Sequence, residues 1–345
     1  MDSDAPPPIG RRRKGTGQVT IRDVAALAGV SAMTVSRALK DPLQVSEAVL
    51  QRVRQAVEAT GYLPNLTAGA LSSGHSTLIA AVVPTISTLA MHSMLESLGD
   101  TLEAGGYQLL LGQAGYDGHR LGRLLETILA RRPAGIVLTG LVEDAAARTR
   151  LRTGGVPVVE TWDLSDEPID MLVGFSHADM AAEVAHLLYR RGCRRLALLG
   201  ADDRRSFDRA DAFVAAAARL GLPAPVVQSV PAPASVGSGR QGLVALLEHG
   251  CPDVDGIFCS SDLTAMGVLA EAQSRGIAVP QRLAVVGCGD LPFAADLQPA
   301  LTTVRLDGAG IGDRAARLLM DRIEGRPVAQ GRWNLGFGIV ERASA

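Results

Sequence analysis

Cysteine is scarce in this 345-residue chain: Cys193, Cys251, Cys259 and Cys288 lie far apart, and no two form a C-x-x-C pair. That excludes a disulfide framework and a thiolate metal site, and predicts buried or half-buried thiols in a reducing cytoplasm. Long apolar runs are missing too. The aliphatic run Leu78–Val83 stops at Pro84, against the roughly 20 residues a membrane span needs. No apolar core follows the basic run Arg11-Arg12-Arg13-Lys14, so no secretory leader is expected. The chain has no H-E-x-x-H, no G-x-S-x-G, no Walker lysine motif, and no G-x-G-x-x-G immediately after a strand-like run. These gaps argue against an enzyme, a metal site and a nucleotide cofactor. The six histidines are scattered; His177, with Asp179 close by, is expected to be structural or ligand-adjacent.

What is present is an ordinary soluble composition, with 47% apolar and 20% charged residues and a net charge of −2. The charge is unevenly spread. Residues 11–64 hold nine basic residues against Asp23, Asp41, Glu47 and Glu58, a balance of +5, whereas the segment after 64 carries −5. A small basic head on an acidic body suits a DNA-binding module carried by something else.

The head reads as three short helices. Thr20 caps the first, with Asp23 in its first turn, and Ile21, Val24, Ala25 and Ala28 recur at helical spacing up to Gly29. Ser31 caps a second helix over Met33–Leu39, with Val35 and Leu39 inward. Val49, Val53, Ala56 and Val57 form one face of a third that stops near Gly61-Tyr62. Two helices joined by a glycine-containing turn form a helix-turn-helix. A major groove admits the second helix, whose exposed Ala32 and Met33 suit thymine methyls. Arg37 suits guanine or phosphate there, and the Thr34 and Ser36 hydroxyls suit phosphates.

Val19-Thr20-Ile21-Arg22-Asp23-Val24-Ala25-Ala26-Leu27-Ala28-Gly29-Val30-Ser31, followed by Met33-Thr34-Val35-Ser36-Arg37-Ala38-Leu39, resembles the head of the lactose-repressor (LacI/GalR) family. So does Gly61-Tyr62-x-Pro64-Asn65-x-x-Ala68-x-x-Leu71. The resemblance implies DNA contacts from Thr20, Ala32, Met33, Thr34, Ser36 and Arg37, and a hinge helix carrying Asn65, Ala68 and Leu71. In the family this hinge folds against the minor groove, and its leucine wedges between base steps. Gly69, mid-hinge, makes such a helix marginal without DNA or a partner hinge.

Beyond residue 76 short apolar runs alternate with helical stretches. Strands are expected at 78–83, 107–111, 135–138, 156–160 and 171–173, then at 195–199, 226–230, 256–259, 283–286 and 301–304. Helices are expected at 91–104, 120–131 and 143–152, then at 207–219, 239–248, 262–274 and 308–324. The pattern predicts two doubly wound lobes with mostly parallel sheets and a ligand cleft at the carboxyl ends of the strands. Thr85, Ser87, Trp162, Asp163, Ser261, Asp262, Gly289 and Asp290 follow strand ends, and Arg209 opens a helix.

This body resembles the same family's effector core, itself similar to periplasmic sugar-binding proteins. The likeness rests on Val173-Gly174-Phe175-Ser176-His177, Asp262-Leu263-Thr264-Ala265-Met266-Gly267, Val285-Val286-Gly287-Cys288-Gly289-Asp290 and Pro299-Ala300-Leu301-Thr302-Thr303-Val304. It implies ligand contacts from Thr85, Ser87, Trp162, Asp163, Arg209, Ser261 and Asp290, with Arg209 gripping hydroxyls or a carboxylate. Ser261 replaces a common asparagine, Cys193 a usual histidine, and Gly289 the first of a common Asp-Asp pair. The lost carboxylate favours an anionic effector. Asp41-Pro42-x-x-Val45-Ser46, Pro157-Val158-Val159-Glu160 and Leu335-Gly336-Phe337 are similar to the gluconate-utilisation repressors.

The expected architecture is a disordered basic arm (1–17), an all-α helix-turn-helix head (18–64), a hinge helix and linker (65–75), and a two-lobed, periplasmic-binding-protein-like α/β core (76–340). The expected function is a cytoplasmic, homodimeric repressor on palindromic double-stranded operator DNA, released by gluconate or a related sugar acid. A corepressor-dependent regulator, one answering a neutral sugar, and a solute-binding protein or enzyme on the same core stay open as alternatives.

Overall fold

Capping and burial decide where the head's helices begin, end and face. The computed structural model describes residues 19–63, 76–86, 91–115 and 118–345. The basic arm, the hinge with Asn65, Ala68 and Leu71, and Ser87 lie outside the described residues. The chain separates into two compact units, Met1–Ser76 and Thr77–Ala345.

In the first unit, α1 (Ile21–Ala28) opens where the Asp23 carboxylate accepts from the Thr20 N–H at 2.8 Å and its hydroxyl at 2.7 Å. It ends at Gly29, whose φ of 64° an L side chain resists. Ser31 Oγ then accepts from the Thr34 N–H at 3.1 Å and starts α2 (Ala32–Lys40), and α3 (Glu47–Thr60) follows. Val24, Val35 and Val53 are wholly buried, each contributing about 1.5–3 kcal/mol over exposure. Two inward faces differ from the sequence expectation. On α2 the buried partner of Val35 is Ala38, and Leu39 is only half-buried; on α3 Leu50 is buried in place of Val49 and Val57. One residue's rotation on a short helix separates these alternatives, and tertiary packing chooses.

The second unit has two six-stranded sheets. The first runs β11-β5-β4-β3-β1-β2, the second β12-β10-β9-β8-β6-β7. In the first lobe these are β1 (Leu78–Val83), β2 (Gln108–Gln113), β3 (Gly135–Thr139), β4 (Val158–Trp162), β5 (Met171–Gly174) and β11 (Arg332–Asn334). The second lobe holds β6 (Leu196–Ala201), β7 (Val226–Val230), β8 (Gly256–Cys259), β9 (Ala284–Cys288), β10 (Thr302–Arg305) and β12 (Gly338–Val340). Pairing is parallel except between β10 and β12. The central strands β1, β3 and β4, like β6, β8 and β9, are buried along nearly their whole length, as parallel sheets covered on both faces require.

Helices α4 (His92–Ala104), α5 (Gly118–Ala130) and α6 (Ala145–Thr153) connect the first lobe's strands. In the second, α7 (His177–Arg190), α8 (Arg204–Arg219), α9 (Val236–Ala245) and α10 (Asp262–Ser274) do so, and α11 (Gly308–Ile323) returns to pack on α4. The sequence expectation has no helix between 173 and 195. The structure has α7 there, because Met180, Val184 and Leu188 recur at helical spacing and are buried. Nor does it have β11 and β12: at three residues each they carry no readable period and form only by pairing with the edges of β5 and β10. Helix α8 starts three residues earlier than expected, since Asp203 accepts from the Ser206 N–H at 2.9 Å and caps it. That earlier start brings Arg204 and Arg205 into the helix.

Candidate functional site

Two surfaces carry concentrated chemistry. In the head, Met33 (66% exposed), Arg37 and Lys40 form one exposed stripe on α2, at helical spacing. Arg37 Nη2 lies 3.7 Å from Met33 Sδ, so the two side chains run together. Ser36 is half-buried beside them. Ala32 also packs against the head's core, and the Thr34 hydroxyl sits 2.8 Å from Ser31 Oγ. Exposed Arg22, Arg52 and Arg54 add further positive charge to the unit. Such a helix, cationic and apolar on its free face, fits a major groove. Lys40 belongs to this stripe by its position, seven residues after Met33.

In the second unit, a cleft of about 410 Å³ opens at the carboxyl ends of both sheets. Pro84, Ala114, Thr139, Gly140 and Asp163 line it from the first lobe; Ala201, Arg205, Arg209, Ser260, Ser261 and Cys288 from the second. Backbone geometry at the end of β4 aims one of these. Trp162 has φ 77°, a left-handed conformation that strains a bulky side chain. Its ring turns into the core against Phe175 (centroids 6.0 Å apart), with Nε1 2.9 Å from Met94 Sδ. The turn leaves Asp163 facing the cleft. Gly174 permits it: a Cβ there would stand 2.1 Å from the Asp163 carbonyl oxygen.

A chain of polar contacts then crosses between the lobes. Arg205 Nε donates to both Asp163 oxygens (3.2 and 3.1 Å) and Nη2 to Oδ2 at 2.9 Å. His177 Nε2 lies 3.0 Å from Asp163 Oδ1, off the line of a straight hydrogen bond. Arg209 Nε donates to His177 Nδ1 at 3.1 Å, and its Nη1 to the Ser260 carbonyl at 2.8 Å. Since Nδ1 accepts, the neutral imidazole carries its proton on Nε2, facing Asp163. Burial, reinforced by the Arg209 charge, pushes the His177 pKa down to about 4. Burial works to raise Asp163, but the Arg205 guanidinium and the His177 contact outweigh it and hold the carboxyl below the ordinary range. At the exposed rim Arg204 pairs with Glu143.

Arg209 differs from its neighbours. It is only 7% exposed, lines the cleft, and among the described residues has no carboxylate within ion-pair distance. Buried charges are normally paired, because desolvation is costly. Two of its five N–H groups are spent on neutral partners. Nearby, Thr139 Oγ1 is buried with no hydrogen-bond partner among the described residues.

The residues expected from sequence divide. Asp163, Arg209 and Ser261 come together at the cleft, where Ser261 also caps α10 by accepting from Thr264 N–H at 3.2 Å. Trp162 lines the cleft too, but it is almost wholly buried and its indole packs in the core. Thr85 is buried, and its neighbour Pro84 lines the wall in its place. Asp290 is not in the wall: Arg305 Nε at 2.6 Å and Arg342 Nη2 at 2.7 Å hold its carboxylate elsewhere. Asp262 is a brace, accepting from Leu291 N–H at 2.7 Å and the Thr303 hydroxyl at 2.5 Å. Sequence reasoning missed Thr139, Arg205 and Ser260. The Asp203 capping signal, read strictly, would have put Arg205 on the same helix face as Arg209.

Among the described residues, no arrangement suits a nucleotide cofactor or a metal. Gly237-Ser238-Gly239-Arg240-Gln241-Gly242 has dinucleotide-fingerprint spacing but runs within α9, where a Cβ on Gly239 would stand 2.1 Å from the Thr264 carbonyl of α10. Its glycines serve helix packing. The four cysteines are buried and free, and no cluster of metal-ligating side chains occurs among the described residues. No helix among them is long and apolar enough to cross a membrane.

Comparison with known proteins places this geometry. Residues 20–65 match the family of bacterial regulatory proteins, lacI family, and residues 184–345 match a periplasmic binding protein-like domain. The chain is 36% identical over 336 residues to the HTH-type transcriptional regulator GntR of Pseudomonas aeruginosa, covering 97% of this chain and 98% of that one. Among solved structures, a LacI-family transcriptional regulator from Silicibacter pomeroyi superposes with a TM-score of 0.88 at 31% identity, over 94% of this chain and 99% of that one. The transcription regulator GntR from Chromobacterium violaceum gives 0.73 at 35% identity, over 77% and 98%.

Proposed function

The chain belongs to the LacI family of bacterial regulatory proteins, a DNA-binding transcriptional repressor and not an enzyme, and from that premise we propose that its effector is a sugar acid. Gluconate or a close relative is the effector this reading names. The observation that carries it is Arg209, a buried guanidinium at the cleft with three N–H groups to spare and no carboxylate partner among the described residues. A planar fork of that kind holds a carboxylate in bidentate fashion. Thr139 Oγ1, buried without a partner among the described residues, and Ser261, on the opposite wall, are the hydroxyl contacts. Similarity to regulators named GntR supports the same reading.

The mechanism is a population shift. Two chains form a homodimer whose heads read a palindromic operator in the cytoplasm, each through Thr20, Ala32, Met33, Thr34, Ser36 and Arg37. The hinges, with Asn65, Ala68 and Leu71, enter the minor groove between them. Because the cleft wall comes from both lobes, an effector seated in it fixes their relative position. The arrangement so fixed binds operator less well, and repression lifts.

Calorimetric titration with gluconate tests the effector assignment. Wild type should bind, and Arg209→Ala should lose roughly 30-fold or more. Binding within twofold of wild type would remove Arg209 as the carboxylate anchor.

A further inference from the structure

Met33 stands 66% exposed on the outer stripe of α2, and its sulfur is the only exposed one among the described residues. Met94, Met171 and Met180 are wholly buried and Met91 nearly so, while Met266 and Met320 are half-buried. Met1 lies outside the described residues. The four cysteines are buried. Burial pushes the Cys193 thiol up to about 11 and raises Cys251, Cys259 and Cys288 as well, and a buried, protonated thiol is a poor nucleophile. A thioether has no proton to lose, so exposure governs its oxidation. Among the described residues, a peroxide therefore meets Met33 first.

The next turn of the helix gives that oxidation a consequence. Arg37 Nη2 lies 3.7 Å from Met33 Sδ. We propose that Met33 is a reversible oxidation site whose sulfoxide releases the operator without any effector. The proposal rests on α2 being the operator-reading helix, and adds a second control to it. A sulfur lone pair attacks one oxygen of hydrogen peroxide; an S–O bond forms, the O–O bond breaks, and water leaves with both protons. Sulfur gives up the two electrons that reduce the peroxide. The new oxygen is a strong acceptor within reach of the Arg37 guanidinium, which it draws away from guanine or phosphate. The same change makes polar the side chain that meets thymine methyls. Sulfoxide reductases, one for each epimer, restore the thioether by oxidising a pair of thiols and releasing water. Bound operator covers Met33, so peroxide acts on the free head.

Full-length protein treated with hydrogen peroxide tests this, with sulfoxide read at each methionine by peptide mass spectrometry and operator binding by fluorescence anisotropy. Met33 should oxidise ahead of the other described methionines, and bound operator should shield it. Operator affinity should fall about tenfold or more in step with the Met33 sulfoxide, with the circular dichroism unchanged. Sulfoxide reductases A and B with a dithiol should restore it in wild type. Met33→Leu should keep its own operator affinity through the same treatment, although Met1 and the half-buried methionines are oxidised in both proteins. Three results each overturn this proposal alone, provided operator still shields Met33: Met33 oxidised no faster than the buried methionines, affinity within about threefold of untreated protein once Met33 is sulfoxide, or an equal loss in Met33→Leu. Met33 oxidised equally with and without bound operator overturns it together with the reading of α2.

Discussion

In the head, the exposed stripe Met33, Arg37 and Lys40 lies on one nine-residue helix and faces water. Around the cleft, Thr139, Asp163, His177, Arg205 and Arg209 come from the ends of β3 and β4 and the starts of α7 and α8, and are mostly buried. The head's charges are cheap to hold, because water solvates them, and their attraction for a polyanion is long-ranged and salt-screened. The cleft's charges are costly unless answered, so each demands a partner at contact distance. One region recruits by field, the other by fit.

Salt should separate the two most widely. Between about 50 and 200 mM salt, operator affinity should fall on the order of 10³-fold as counterions are no longer released to advantage. Gluconate affinity should change by less than about threefold, since buried pairs are little screened. Parallel titrations by fluorescence anisotropy and calorimetry check this, and equal slopes would break the contrast.

Next in size, Arg209→Ala should cost about 2–5 kcal/mol of gluconate affinity while leaving operator affinity intact. Arg209→Lys should recover little, because an ammonium lacks the fork.

Acid should unfold the effector-binding unit through His177. Its pKa is about 4 in the folded chain against an ordinary 6.5, so between those values the unfolded chain binds a proton that the folded one does not. The contribution is complete above pH 6.5 and is lost as pH falls toward 4, by about 3 kcal/mol. Urea melts across that window should show the slope, and His177→Gln should flatten it.

Arg37→Ala should weaken specific operator binding by about 1–3 kcal/mol per half-site with gluconate affinity unchanged. An Arg37→Ala protein keeping both affinity and sequence preference would remove it from base readout. Smallest is Ser31→Ala, which deletes the α2 cap and should cost about 1 kcal/mol of head stability, read as a lower melting temperature for that unit alone.

The same contrast explains what could be read from sequence. The head was legible because its signals are local: Thr20 with Asp23, Gly29, and Ser31 with Thr34 each fix a helix end within four residues. The strands were legible because buried parallel strands are continuous apolar runs, as at Leu78–Val83 and Gly256–Cys259. Only part of the cleft was. Asp163, Arg209 and Ser261 follow strand ends or open helices, which points to the mouth of such a sheet. Asp290 follows a strand end too, yet Arg305 and Arg342 draw it away, and no local rule foretells two distant arginines. Arg205 falls just before the helix expected at 207–219, and only the cap at Asp203 puts it on α8. Thr139 matters because, among the described residues, none satisfies its hydroxyl, which only the packed structure reveals.

The most direct test joins the two regions in one experiment. Protein bound to a labelled operator fragment, obtained by selection from random DNA, is titrated with gluconate and, in parallel, with glucose while anisotropy is followed. The account predicts that gluconate releases the DNA, that glucose does not at the same concentrations, and that Arg209→Ala stays bound throughout. Release by glucose as readily as by gluconate, or tighter operator binding with gluconate present, would contradict it.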